Sequence, residues 1–254
     1  MQGHMYNEDY FERGPQAGVS LYTNYSWQPE LTIPMVSRII EELGIAAFDT
    51  VLDYGCAKGF VVKAFRLLRR QAWGMDVSNY AIEHCAQGMR RYLCYVDETQ
   101  RNNGWSWPEG FPYQFDWCIC KDVLEHVETP EELHVVLIML RAMCKNMFVV
   151  VPLGEDGVYN EPAYALDKTH HIAENVDWWL RAFHVAGFDY VRAGFEFPGV
   201  KENWKTHEKS NGFFILPCRN KPFSMALTGF MKSEKLVNGE LASSDTQNDG
   251  EASR

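Results

Sequence analysis

A chain of 254 residues with 46% hydrophobic content can bury one sizeable core, and its formal charge of -10 disfavours a partner held through phosphates, so nucleic acid is not expected. Seven cysteines without metal-finger spacing, Cys118 and Cys120 among them in an apolar run, read as reduced core thiols of a cytoplasmic protein. No apolar run reaches the roughly 18 residues of a membrane span, and no basic-then-apolar signal pattern opens the sequence.

Met1 to Met5 reads as a protease-site and cloning scar, followed by an N-terminal arm over 6–30, one folded domain over 31–218 and a tail over 219–254. Ile33, Val36, Ile39, Ile40 and Leu43 follow helical spacing, and Gly44 supplies a stop. Thr50 to Asp53 is a short strand, a glycine turn follows, and Phe60 to Leu68 is the helix it opens. A second strand runs from Gln71 to Met75, and Ser78 caps a helix expected through Met89. Tyr92 to Val96 and Phe115 to Cys120 are the third and fourth strands. Thr129-Pro130-Glu131-Glu132 is a capping box opening a helix with apolar Leu133, Val136, Leu137 and Leu140. Met147 to Val151 is wholly apolar, as a strand covered on both faces requires. Val176, Trp179, Leu180 and Phe183 mark a helix, and Tyr190 to Phe197 and Gly212 to Leu216 are strands with no helix between them, so they should pair antiparallel. The layout is α/β: a doubly wound, seven-stranded, mostly parallel sheet with a reversed last strand, helices on both faces and an aromatic arm. From about residue 238 the tail is polar and acidic, and disorder is expected there.

A doubly wound sheet opens a ligand crevice at the C-terminal edge of its first strand. Val51-Leu52-Asp53-Tyr54-Gly55-Cys56-Ala57-Lys58-Gly59 falls there. Gly55, Cys56, Ala57 and Gly59 let the backbone approach a ligand, and Asp53 can accept from an ammonium group or orient the loop. The Gly-x-x-x-Gly spacing departs from the dinucleotide pattern Gly-x-Gly-x-x-Gly, so NAD fits less well. Asp76, with Val77 beside it, ends the second strand, where a carboxylate can bind both ribose hydroxyls of an adenosine or merely neighbour the Ser78 cap.

Asp53-x-Gly55-x-Ala57-x-Gly59 resembles the first motif of class I, Rossmann-like S-adenosylmethionine-dependent methyltransferases, with Ala57 where the middle glycine usually stands. Phe115-Asp116-Trp117-Cys118-Ile119-Cys120-Lys121-Asp122-Val123-Leu124-Glu125-His126-Val127 resembles the fourth-strand motif of the small-molecule branch. The resemblance covers roughly Phe48 to Leu216. It implies S-adenosyl-L-methionine as cofactor, S-adenosyl-L-homocysteine (SAH) as product, Lys121 among the cofactor-binding residues and Asp97 near the adenine amino group, where a solvated turn acid is the competing reading.

A sulfonium methyl is already activated, so positioning and water exclusion are the main tasks, but a hydroxyl acceptor also needs a base. Asp167-Lys168-Thr169-His170-His171 follows the fifth strand, in a region where this fold places acceptor-binding residues. His170 is the favoured base, His171 the alternate and His126 a third candidate; helix capping or a bond to a nearby carbonyl is the structural reading of each. Tyr22, Tyr25 and Trp27 of the arm and Trp204 between the last strands are candidate acceptor contacts. No metal is expected. The lesser alternative sets Asp122, Glu125 and His126 at i, i+3, i+4 on one helical turn, with His170 or His171 completing a site that resembles the metal site of small-RNA 2′-O-methyltransferases, Asp122 standing where those carry glutamate. The leading reading is O-methylation of a small polar acceptor such as a sugar, nucleotide sugar or secondary metabolite. A metal-assisted RNA 2′-O-methyltransferase is second, and a non-catalytic binding subunit third, with Asp53 and Asp76 both present against it.

Overall fold

The computed structural model describes residues 3–96, 108–203 and 207–219. The sheet follows from where the apolar runs fall. Strands β1 (Thr50–Tyr54), β2 (Gln71–Asp76), β3 (Leu93–Tyr95), β4 (Phe115–Lys121), β5 (Cys144–Pro152), β8 (Arg192–Gly194) and β9 (Asn211–Pro217) form one sheet in the order β3-β2-β1-β4-β5-β9-β8. β1 to β5 pair in parallel, and β9 runs antiparallel to both β5 and β8. The reversed strand is thus inserted between β5 and the edge, with Val149 opposite Phe214 and Pro152 opposite Asn211.

Strand alternation divides the core in two. Met147, Val149 and Val151 of β5 and Phe214 and Leu216 of β9 point to one face, where α6 (Pro130–Met143) and α7 (Val176–Val185) cover them. Phe148, Val150, Phe213 and Ile215 point to the other, packed with Val36 and Ile39 of α3 (Pro29–Leu43) and Phe65 of α4 (Phe60–Leu67). Thr129 caps α6 by accepting from the Glu132 amide at 3.2 Å, and Pro130, which has no amide hydrogen to satisfy, takes the first helical position.

Several elements differ from expectation. The helix capped by Ser78 is α5, Asn79–Glu83, and ends well before Met89 because the Ala86 amide is drawn out to the Lys58 carbonyl at 2.8 Å. Arg90–Tyr92 is a 3-10 turn, which shortens β3. Of the strand expected over 190–197 only Arg192–Gly194 is paired as β8; beyond it, Pro198 and Gly199 turn the chain so that Phe197 bonds Lys201. A hairpin of β6 (Gly154–Glu155) and β7 (Val158–Tyr159) also intervenes before α7, around an Asp156-Gly157 turn that the sequence carries. Gly3–Met5 forms a 3-10 turn with Gly3 against the Val77 carbonyl, so these residues pack on the domain. Two short helices, α1 (Glu8–Glu12) and α2 (Gly14–Ala17), lead into the rest of the arm. Among the described residues no helix is long and apolar enough to cross a membrane.

Phe214, fully buried, meets Phe183 of α7 edge-on at 5.1 Å between ring centroids. Phe214→Ala is expected to lower stability by about 3–5 kcal/mol through the cavity it leaves, read as a lower urea midpoint with an unchanged slope.

Candidate active site

The turn after β1 is built from left-handed residues. Gly55 (φ 77°), Ala57 (φ 47°) and Gly59 (φ 74°) bring the chain from β1 into α4. At Gly55 the need is steric as well, since a Cβ would stand 2.4 Å from a Val123 methyl. Ala57 adopts the left-handed region at a cost of about 1–2 kcal/mol, offset where its amide donates to Asp76 Oδ2 at 2.7 Å. Asp76 Oδ1 accepts from the Ser78 amide, also at 2.7 Å. Each oxygen keeps a further acceptor direction.

Above this turn lies a cavity of about 490 Å³, within the range of small-ligand sites. Asp53, Gly55, Cys56, Ala57, Asp76, Val77 and Lys121 all line it, whereas Gly59 sits behind as the cap of α4. Asp97 and Trp204 lie outside the described residues. Burial, with Asp76 nearby, pushes Asp53 up to about 8 against the pull of Lys121. Burial raises Asp76 to about 6, restrained by the amides of Ser78, Ala57 and Val77.

The arm supplies another wall. Tyr6, Tyr10, Phe11, Tyr22 and Tyr25 line the cavity. The Ser78 hydroxyl donates to the Tyr6 carbonyl at 2.5 Å, Lys58 pairs with Glu12 and donates to the Tyr25 carbonyl at 2.9 Å, and the Tyr10 hydroxyl donates to Asp167 Oδ2 at 3.0 Å. Trp27 is directed elsewhere, against Phe60 and under Lys63. The contributions of Tyr6, Tyr10 and Phe11 were not expected; the signal available was the i, i+4 spacing of Tyr6 and Tyr10 about the Asn7 cap.

At the far wall stands His126. Its Nδ1 lies 2.8 Å from Thr169 Oγ1 and 3.2 Å from the Thr169 carbonyl. A carbonyl only accepts, and the Thr169 hydroxyl donates to Asp167 Oδ1 at 2.6 Å, so Nδ1 carries the proton and Nε2 keeps its lone pair. Burial and the adjoining His170 push the imidazole well below the ordinary histidine range. His170 stacks edge-on to His126 at 4.6 Å but does not line the cavity, nor does His171, which is exposed and whose amide donates to the Glu125 carbonyl at 2.8 Å.

The helical turn expected at Asp122 to His126 does not form. Asp122 is left-handed (φ 57°) and Leu124–His126 is a 3-10 turn, a conformation that apolar periodicity does not report. Asp122 therefore turns away to Lys121 (2.5 Å) and Lys201 (2.9 Å), whose ammoniums outweigh burial and hold it well below the carboxylate range. Glu125, His126 and His170 do converge, with one potential donor atom of each within 4.8 Å of the others. Glu125 is fully buried, and neither carboxylate oxygen has a hydrogen-bond partner.

The same fold also occurs in solved structures. A S-adenosylmethionine-dependent methyltransferase from Clostridium acetobutylicum ATCC 824 is 14% identical, with a TM-score of 0.53 over 73% of this chain and 91% of that one. A SAM-dependent methyltransferase from Archaeoglobus fulgidus is 17% identical, with a TM-score of 0.54 over 75% and 94%. Magnesium protoporphyrin IX methyltransferase from Synechocystis PCC 6803, with bound SAH, is 14% identical, with a TM-score of 0.50 over 85% and 91%. No curated protein matches. The family described as "Methyltransferase domain" matches residues 29–194, more than half of the chain, and the chain belongs to it. It is an S-adenosylmethionine-dependent methyltransferase.

Pairing of Asp53 with the cofactor's ammonium group is expected to favour the ionised carboxylate. Because the free carboxyl is raised to about 8, apparent cofactor affinity should increase by up to about tenfold per pH unit from about pH 6 to 8, with uptake of cofactor releasing a proton. Calorimetry in buffers of different ionisation enthalpy measures both, and Asp53→Asn should weaken binding and flatten the profile.

Proposed function

We propose that the enzyme transfers the methyl group of S-adenosyl-L-methionine to an oxygen of a small polar acceptor, such as a sugar, a nucleotide sugar or a secondary metabolite. The observation carrying this reading is that a single cavity is lined both by the glycine turn with its two carboxylates and by His126, behind which lie the buried Glu125 and the half-buried His170. In the transfer the methyl–sulfur bond breaks as a carbon–oxygen bond forms, the electron pair stays on sulfur, and the hydroxyl proton passes to a water molecule at the His126 end of the cavity and so to solvent. A neutral amine can attack first and lose its proton afterwards, so it has less need of such a polar cluster. Tyr22 and Tyr25, whose rings stand 4.9 Å apart, give an amphipathic wall suited to a sugar face. The net charge of -10 favours a small acceptor over RNA.

The test is transfer of isotopically labelled methyl to a panel of these acceptors, with the product's linkage determined by mass spectrometry and mild alkali. An alkali-stable methyl ether is the expected product; a methyl on nitrogen or carbon would overturn the acceptor assignment. His126→Ala should lower kcat by about 10²–10⁴-fold while cofactor affinity stays within about twofold by calorimetry, since its ring bonds to Thr169 and not to the glycine turn.

A further inference from the structure

We propose that Glu125, His126 and His170 bind one divalent transition-metal ion, of the class that accepts two imidazole nitrogens and one carboxylate oxygen. The starting point is the Glu125 carboxylate, fully buried with neither oxygen hydrogen-bonded. A buried carboxylate needs a cation, a hydrogen-bond donor or a proton. Protonation alone does not settle it, because the imidazole it faces, at His170 Nε2, is 3.9 Å from Oε1 and beyond hydrogen-bond reach. A cation does settle it. Three ligands each about 2.1 Å from one ion stand about 3.4–3.6 Å apart, so a group already within 4.8 Å closes on an ion with side-chain shifts of at most about 1 Å.

The surroundings are those of a metal-binding histidine. His126 presents Nε2 because Nδ1–H is committed to Thr169, which is itself held by Asp167, an outer layer that fixes the ring and raises its basicity as a ligand. The two segments that carry the ligands are already joined, since the amides of His171 and Ile172 both donate to the Glu125 carbonyl, at 2.8 and 3.1 Å. Mixed nitrogen and oxygen donors suit Zn²⁺, Co²⁺ or Mn²⁺ and not Mg²⁺ or Ca²⁺, which prefer oxygen alone. Three protein ligands leave coordination positions for water or an acceptor oxygen, and a hydroxyl bound there is a stronger acid. That role, though not the binding itself, rests on the oxygen-methylation reading above.

The full chain, stripped with chelator and reloaded, is assayed for ion content by mass spectrometry after gel filtration and for the visible absorption of Co²⁺. Close to one Zn²⁺ or Co²⁺ per chain is expected, with Mg²⁺ not competing. Glu125→Gln and His170→Gln should weaken binding by more than about 100-fold, and Thr169→Val by about 10–100-fold. Cofactor calorimetry on each variant reports folding, and where one variant fails to fold the others and the wild-type Co²⁺ spectrum decide. A wild-type chain that retains no ion, or one whose uptake is equal in both ligand variants, overturns the proposal. Ion binding without methylation of any oxygen acceptor would instead overturn the acceptor reading and leave the ion site standing.

Discussion

The site depends on one half-buried carboxylate at the end of β2. Asp76 holds the Ala57 amide on one oxygen and the Ser78 amide on the other, joining the glycine turn to the far side of β2. Ser78 extends the link, since its hydroxyl accepts from the Ala81 amide at 2.9 Å and donates to the Tyr6 carbonyl. Loop, strand end, helix start and arm therefore meet at two residues, Asp76 and Ser78. Hydrogen bonds to a charged group contribute about 1.5–3 kcal/mol each, and they offset the desolvation that lifts this acid to about 6. Without them Ala57 would have no compensation for its left-handed backbone.

Much of this architecture was legible because it rests on apolar period and terminal chemistry. The run Met147 to Val151 can only be a strand covered on both sides, and the Thr129 box with Pro130 fixes the start of α6. Short elements are less legible because a single tertiary bond decides them. The Ala86 amide, spent on Lys58, ends α5 early, and the φ of Asp122 converts an expected helical turn into a 3-10 turn. Neither is written in the spacing of hydrophobic residues. The glycine turn and Asp76 were identified from their place at strand ends, a topological property, whereas Tyr6, Tyr10 and Thr169 take their positions from contacts between segments far apart in sequence.

The polar end of the cavity was legible by composition but not by role. His126, His170 and His171 all attract notice as histidines, yet they occupy three different environments: one on the cavity wall, one packed behind it and one exposed with only its amide engaged. Asp122 and Glu125 part company in the same way. Two lysines claim the first, one of them Lys201 from the turn before β9, and the second is left facing the imidazoles. A three-residue separation in the sequence thus divides a half-buried acid paired with lysines from a fully buried one with no hydrogen-bond partner.

Asp167 ties the two ends of the cavity together. One of its oxygens orients Thr169 and through it His126, while the other receives the Tyr10 hydroxyl from the arm. The arm that walls the cavity and the imidazole that the proposed transfer uses therefore share a single anchor. Displacement of the arm would strip that anchor of a partner, so on the proposed reading opening of the cavity and loosening of the His126 imidazole would go together. Such an arrangement makes competence conditional on closure, a safeguard for a donor whose methyl group water could otherwise take.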